Sequence, residues 1–169
     1  MNRVSIFQLS FYQQYFTRYK IVAPNIFPSR IYGEMDILAI RKSGYVDEIE
    51  IKLSKSDFKA DFNKTVNKKI KTDYGYKFTK VKKHRTLRSG KCIPNYFSFL
   101  VPESIVDEIE IPKYCGLYVI YENRRNNIFE VKKAPILHKK KDIVEGLEEQ
   151  IGKKMMYRYW NEIKKQKKG

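Results

Sequence analysis

Residues 33–62 read GEMDILAIRKSGYVDEIEIKLSKSDFKADF, and the fold turns on how this stretch is laid out. Two runs of β-formers alternate apolar and polar side chains on either side of Ser43-Gly44, the pattern of an antiparallel hairpin with a tight turn. Side chains two apart share one face of a strand. Glu34, Asp36, Leu38 and Ile40 therefore share a face in the first run. In the second, Glu48, Glu50 and Lys52 share one face while Ile49, Ile51 and Leu53 share the other. Downstream, Ser54 with Asp57 three residues on forms a capping box that starts a helix. Phe58, Phe62, Val66 and Ile70 recur every fourth residue and predict one apolar stripe along it, ringed by Lys55, Lys59, Lys64, Lys68, Lys69 and Lys71.

The hexapeptide VDEIEI occurs at Val46–Ile51 and again at Val106–Ile111. After the first copy comes Lys52, on the parity of both glutamates and about 7 Å along the strand from Glu50. After the second comes Pro112, which ends both ladder and alternation and leaves Lys113 on the opposite parity. The first copy, beside Asp36, clusters hard oxygen donors with an ammonium, a set suited to Mg²⁺ or Mn²⁺ and to phosphate chemistry. The second reads as scaffold around a helical turn begun near Pro102–Ser104.

Elsewhere, Ile6, Phe7, Phe11, Tyr12, Tyr15 and Phe16 stripe a first helix from Ser5, its N-cap, to about Lys20. KIVAPNIFPSRIYG reads as a strand and loop, DYGYKFTKVKKHRTLRSGKCIP as a basic, partly loop-like segment, and NYFSFLV as a strand. YCGLYVIYE and NIFEVKKAP pair as strands through NRRNN. Ile143, Leu147, Ile151, Met155, Tyr159 and Ile163 fall at helical spacing on a long C-terminal helix, with Trp160 in the core and a basic tail ending in Lys167-Lys168. His138 is expected at the surface. The expectation is one α/β domain over 1–169, with a core of about 5–137 and a helix over about 139–166.

The 169 residues carry a formal net charge of +16, far beyond what solubility requires, and this points to a polyanion. Residues 52–91 hold fourteen Lys/Arg against three acids, whereas residues 34–50 are acidic. Tyr and Phe between the lysines of DYGYKF either stack on unpaired bases or pack in the core. Cys92 and Cys115 lack the spacing of a zinc site or a disulfide framework. No run approaches the ~18 apolar residues of a membrane span, and the N-terminus lacks the form of a signal peptide.

Residues 33–40 together with VDEIEIKLSKSDFKADF (46–62) resemble the PD-(D/E)XK nuclease superfamily. They are most similar to small phage and bacterial members, related to repair-nuclease-like proteins, in which a Glu-x-Lys strand leads into a Ser…Asp-Phe helix. The run from Lys83 to Ile120 resembles the way these proteins continue, so the likeness spans roughly 20–140. It implies a restriction-endonuclease-like core: a central mixed sheet of four or five strands flanked by helices. It makes Asp36, Glu50 and Lys52 catalytic, and it places Mg²⁺ or Mn²⁺ on Asp36, Glu50 and the backbone carbonyl of Ile51. Met35 stands where the superfamily's name has Pro. Many members add an acid from the first helix; here that helix offers only Gln8, Gln13 and Gln14, and Glu34 is the candidate for the further ligand.

The resemblance implies a metal-dependent deoxyribonuclease of little sequence specificity, in DNA repair, recombination or phage DNA processing, in the cytoplasm of a bacterium or phage-infected host. The alternative is a catalytically inactive nuclease-fold protein that binds DNA or assists its packaging. The expected partner is DNA and not a membrane, with a homodimer admitted. Lys55, Lys59, Lys64, Lys68 and Lys69 on the basic helix, with Lys83, His84 and Arg85 in the loop, are the expected phosphate contacts.

Overall fold

The computed structural model describes residues 1–28, 32–141 and 146–166. A six-stranded mixed sheet forms its centre, one strand more than the larger of the expected counts. Strands β1 (Tyr19–Ile26), β2 (Met35–Arg41) and β3 (Val46–Ile51) are neighbours in that order, each antiparallel to the next. The β2–β3 hairpin is the one that the alternation predicts, closed at Gly44 with φ +82°. β3 pairs in parallel with β6 (Tyr96–Pro102), and β6 with β7 (Gly116–Tyr121); β8 (Asn127–Lys132) returns antiparallel. Parallel pairing forbids a tight turn, so the chain between β3 and β6 must cross over. The basic segment 52–95 supplies that crossover.

Both faces of the sheet are covered, which is why β3 and β6 are buried nearly throughout. On one face lies α1 (Arg3–Tyr15), capped by the Asn2 side chain accepting from Ser5 N–H, so the cap sits three residues before the expected Ser5. Its Phe7, Phe11 and Tyr15 pack on Ile37, Ile49, Ile51, Leu100, Tyr118 and Ile120. Each buried ring contributes about 1.5–3 kcal/mol. The opposite face presents Leu38, Ile40, Val46, Phe97, Phe99 and Val119 to Phe58 of α2 (Lys55–Asp61) and Leu87 of α3 (Lys83–Arg88).

The crossover departs from its expected form. Helix α2 stops at Asp61, and Thr65–Thr72 forms β4, paired antiparallel with β5 (Gly75–Lys82) as a separate two-stranded ribbon. A spacing of four places residues on one face of a helix, but also on one face of a strand, so Val66 and Ile70 satisfy both readings. β-branched Thr65, Val66, Ile70 and Thr72, followed by a turn at Gly75 with φ +123°, decide for the ribbon. The second hexapeptide forms a 3-10 turn over Glu103–Glu108, with Ile105 buried, as scaffold.

The C-terminal helix α4 spans Leu147–Gln166. Leu147 and Ile151 reach the core, and Arg158 donates to the Pro24 and Asn25 carbonyls, but Trp160 is 54% exposed rather than buried. Helix α4 contacts the sheet along β1, its edge strand, and the outer end of its stripe finds no sheet beneath it. Ile143 and the tail Lys167-Lys168 lie outside the described residues.

Candidate active site

Asp36, Glu50 and Lys52 meet on the face covered by α2 and α3, where the β2–β3 ladder gives out. Its last pair is Ile37–Ile49. One step further, the Asp36 carboxylate replaces a strand carbonyl, and its Oδ2 accepts from Ile51 N–H at 2.8 Å. In an extended chain a residue's N–H and C=O point to the same side, so the Ile51 carbonyl also faces this gap. From α1, the buried Gln8 amide donates to the Asp36 carbonyl and to Asn25 Oδ1, both at 2.9 Å. That amide steadies the backbone of the site from the first helix.

Glu50 is buried, and both of its oxygens are paired. Oε1 meets Lys83 Nζ at 2.5 Å; Oε2 meets Lys52 Nζ at 3.0 Å and Lys64 Nζ at 2.9 Å. Lys52 Nζ lies 2.7 Å from Oδ1 of Asp61, the last residue of α2. Asp61 has no exposed surface and also takes Lys64 at 3.0 Å and His84 Nε2 at 2.8 Å. A carboxylate only accepts, so Nε2 carries the proton; in the neutral tautomer Nδ1 then accepts from the Tyr114 hydroxyl at 2.9 Å. Phe62, Phe97 and Phe99 enclose the imidazole. Glu48, fully buried, pairs with Lys83 at 2.5 Å.

Four carboxylates (Asp36, Glu48, Glu50, Asp61) thus face three ammoniums (Lys52, Lys64, Lys83), and among the described residues no cation lies within ion-pair distance of Asp36. Burial, then the Glu50 charge, raises the Asp36 carboxyl from 3.8 to about 6, against the Ile51 N–H and the more distant Lys52 and Lys64. Burial also raises Glu48, which shares Lys83 with Glu50. Burial works against ionising Glu50, but Lys83, Lys52 and Lys64 outweigh it and hold the carboxyl low. At Asp61 the His84 hydrogen bond, with Lys83 and Lys52, outweighs burial in the same way. Carboxyls held low in the native state stabilise it above their unfolded values near pH 4, and this contribution is lost as pH falls through the depressed native ones. Metal-free protein is therefore expected to lose urea midpoint steeply from pH 4 to pH 2. A flat midpoint across that interval would mean that these ion pairs do not form.

The expected phosphate contacts divide between the surface and the buried cluster. Lys55 and Lys59 are exposed on α2, where Lys55 pairs with Glu108 at 3.4 Å, and Arg85 is exposed on α3. Lys64 precedes the ribbon, and Lys68 and Lys69 lie on β4 rather than on a helix. Lys83 and His84 are buried counterions of Glu48, Glu50 and Asp61 and are not presented to a phosphate backbone. Glu34 is exposed ahead of β2; the further acids at the site are Glu48 and Asp61. One sequence signal for Asp61 exists, since it follows the core residue Phe58 by three and so shares its helix face. His138 is half-buried against Asn95.

No family model matches this chain, and no curated protein matches it. The fold has a solved counterpart. The chain is similar to the "SPO1766 protein of unknown function" from Silicibacter pomeroyi, at 14% identity and a TM-score of 0.68, over 94% of this chain and 90% of that one. At that identity the likeness shows the fold alone.

Among the described residues, no three His, Cys, Asp or Glu side chains converge as a ready metal cage. The donors present are two like-charged carboxylates and a backbone carbonyl, all hard oxygens. That set fits Mg²⁺, which keeps most of its waters and is bound through one or two carboxylates, better than a fully caged ion. Lys64, with its side chain 45% exposed, can swing away from Glu50, whereas Lys52 and Lys83 are buried.

Proposed function

We propose that this protein is a Mg²⁺-dependent deoxyribonuclease with a restriction-endonuclease-like core, cutting phosphodiester bonds with little sequence specificity in DNA repair, recombination or phage DNA processing. The observation that carries this reading is the convergence of Asp36, Glu50 and Lys52 on one sheet face, at the point where two strands part, with no cation in ion-pair distance of Asp36 among the described residues. Asp36, Glu50 and the Ile51 carbonyl would hold the ion. Bound there, Mg²⁺ supplies Lewis acidity toward the phosphate and makes a nearby water easier to deprotonate. Lys52, clamped between Glu50 and Asp61, orients the attacking water and offsets charge gathering on the phosphate oxygens. Exposed Lys55, Lys59 and Arg85 hold the backbone without reading bases.

One observation favours a catalytically inactive DNA-binding or packaging protein: lysines already fill both Glu50 oxygens. Supercoiled plasmid incubated in Mg²⁺ separates the two. Nicking by wild type, lost in Asp36→Ala and down at least about 100-fold in Lys52→Ala, is the expected result. Plasmid binding without nicking by any of the three proteins would establish the inactive module.

A further inference from the structure

The β4–β5 ribbon stands apart from the sheet as an arm about 27 Å long. Its register places Val66 opposite Val81, and this pair packs on the core. The opposite parity forms the outer face: Lys69 and Lys71 on β4, Tyr76, Phe78, Lys80 and Lys82 on β5. Two aromatic rings thus sit on a strip with four lysines and no acid. Tyr76 is 62% exposed and Phe78 56%, and Tyr74 in the connecting turn is 102% exposed. Lys69 Nζ lies 3.6 Å from the centre of the Tyr76 ring. A core role for these aromatics is excluded by their exposure, and a purely apolar partner is disfavoured by the lysines that flank Tyr76 and Phe78.

Both ends of the arm are fastened at the carboxylate cluster. Lys64, one residue before β4, reaches Glu50 and Asp61; Lys83, one residue after β5, reaches Glu48 and Glu50. The base of the arm is thereby held beside Glu50 and Asp61.

We infer that this arm is a stacking platform for unpaired bases, so that the preferred substrate is single-stranded DNA or a DNA with a single-stranded segment. Tyr76 and Phe78, about 7 Å apart along β5, each offer a π-face to one base, while the flanking lysines take the phosphates. Every base has such a face, so the platform reads no sequence. A second copy of this chain is a poor occupant, because its own ribbon would bring four lysines against these four. The inference rests on the reading of the protein as one that handles DNA, and not on turnover.

Fluorescence anisotropy in EDTA, with a labelled dT20 oligonucleotide and a 20-base-pair duplex across a salt series, tests it without cleavage. Tyr76→Ala/Phe78→Ala is expected to weaken dT20 binding about 100-fold, roughly tenfold per ring, and to change duplex binding less than about threefold. Tyr76→Phe, which keeps the ring, should bind as wild type. Replacing Lys69, Lys71, Lys80 and Lys82 by Gln should weaken both ligands and flatten the salt dependence, by about 0.7 in log–log slope for each lost single-strand contact. Because all six side chains are outside the core, thermal midpoints close to wild type are expected. Undiminished dT20 binding by the double variant, or equal losses on dT20 and duplex, would overturn the platform. Plasmid nicking by wild type would leave the nuclease reading standing in either case.

Discussion

Asp36→Asn is expected to lower Mg²⁺-dependent plasmid nicking by on the order of 100- to 1,000-fold while making the metal-free protein more stable at pH 7.5, by about 2 kcal/mol. The asparagine oxygen can still accept from Ile51 N–H, so the strand geometry of the site is retained and the charge alone is removed. Burial and Glu50 raise the Asp36 carboxyl from 3.8 to about 6, so the native state binds a proton more readily than the unfolded chain. Between those values, and fully above about pH 6, the ionised group therefore weakens the native state. The whole rise is worth about 3 kcal/mol, which partial exposure reduces to about 2. The advantage of Asp36→Asn should shrink as pH falls from 6 and vanish near pH 4. Mg²⁺ should raise the melting temperature of wild type and not of the variant, because only a ligand that binds the native state shifts its unfolding. Full nicking activity in Asp36→Asn, or a variant less stable than wild type at pH 7.5, would remove the charge from its assigned role.

Asp61→Ala should have the largest effect on stability of any substitution at the site, a loss of about 3–5 kcal/mol in urea unfolding. It takes away the acceptor of His84 Nε2 and one of two carboxylates on Lys52, both inside the fold. Breaking one partner of a buried pair leaves a desolvated charge that water cannot reach, and against a total stability of about 5–15 kcal/mol that is a large share. A drop of roughly 10 °C in melting temperature follows for a chain of this size. Lys64→Ala, removing a half-exposed member of the same cluster, should cost less than about 1 kcal/mol. Nicking by Asp61→Ala below its melting temperature should fall along with stability, because Lys52 loses the group that holds it in place. An Asp61→Ala protein within about 0.5 kcal/mol of wild type would show the cluster to be a surface network.

The β2–β3 hairpin was legible because its signal is local. Alternation with period two assigns each side chain to a face wherever the strand ends up, so Asp36, Glu50 and Lys52 could be grouped from their numbers. The segment after Asp61 misled for an equally local reason. A spacing of four is compatible with helix and strand alike, and the apolar stripe outweighed the β-branched residues and the turn at Gly75.

From its order of residues alone, this chain determined a strand pair bearing two acids and a lysine on one face, and a strongly basic crossover after it. What the tertiary structure decided is the job of each charge in that crossover. Lys83 and His84 look like phosphate contacts in KVKKHR, yet they pair with carboxylates 33 and 23 residues back in the chain. Tyr76 and Phe78 read either as core or as base-stacking residues in DYGYKF, and the fold turns them outward. Whether a charged side chain is a counterion or a binding group depends on which distant groups share its desolvated space, and no periodicity within a segment carries that information.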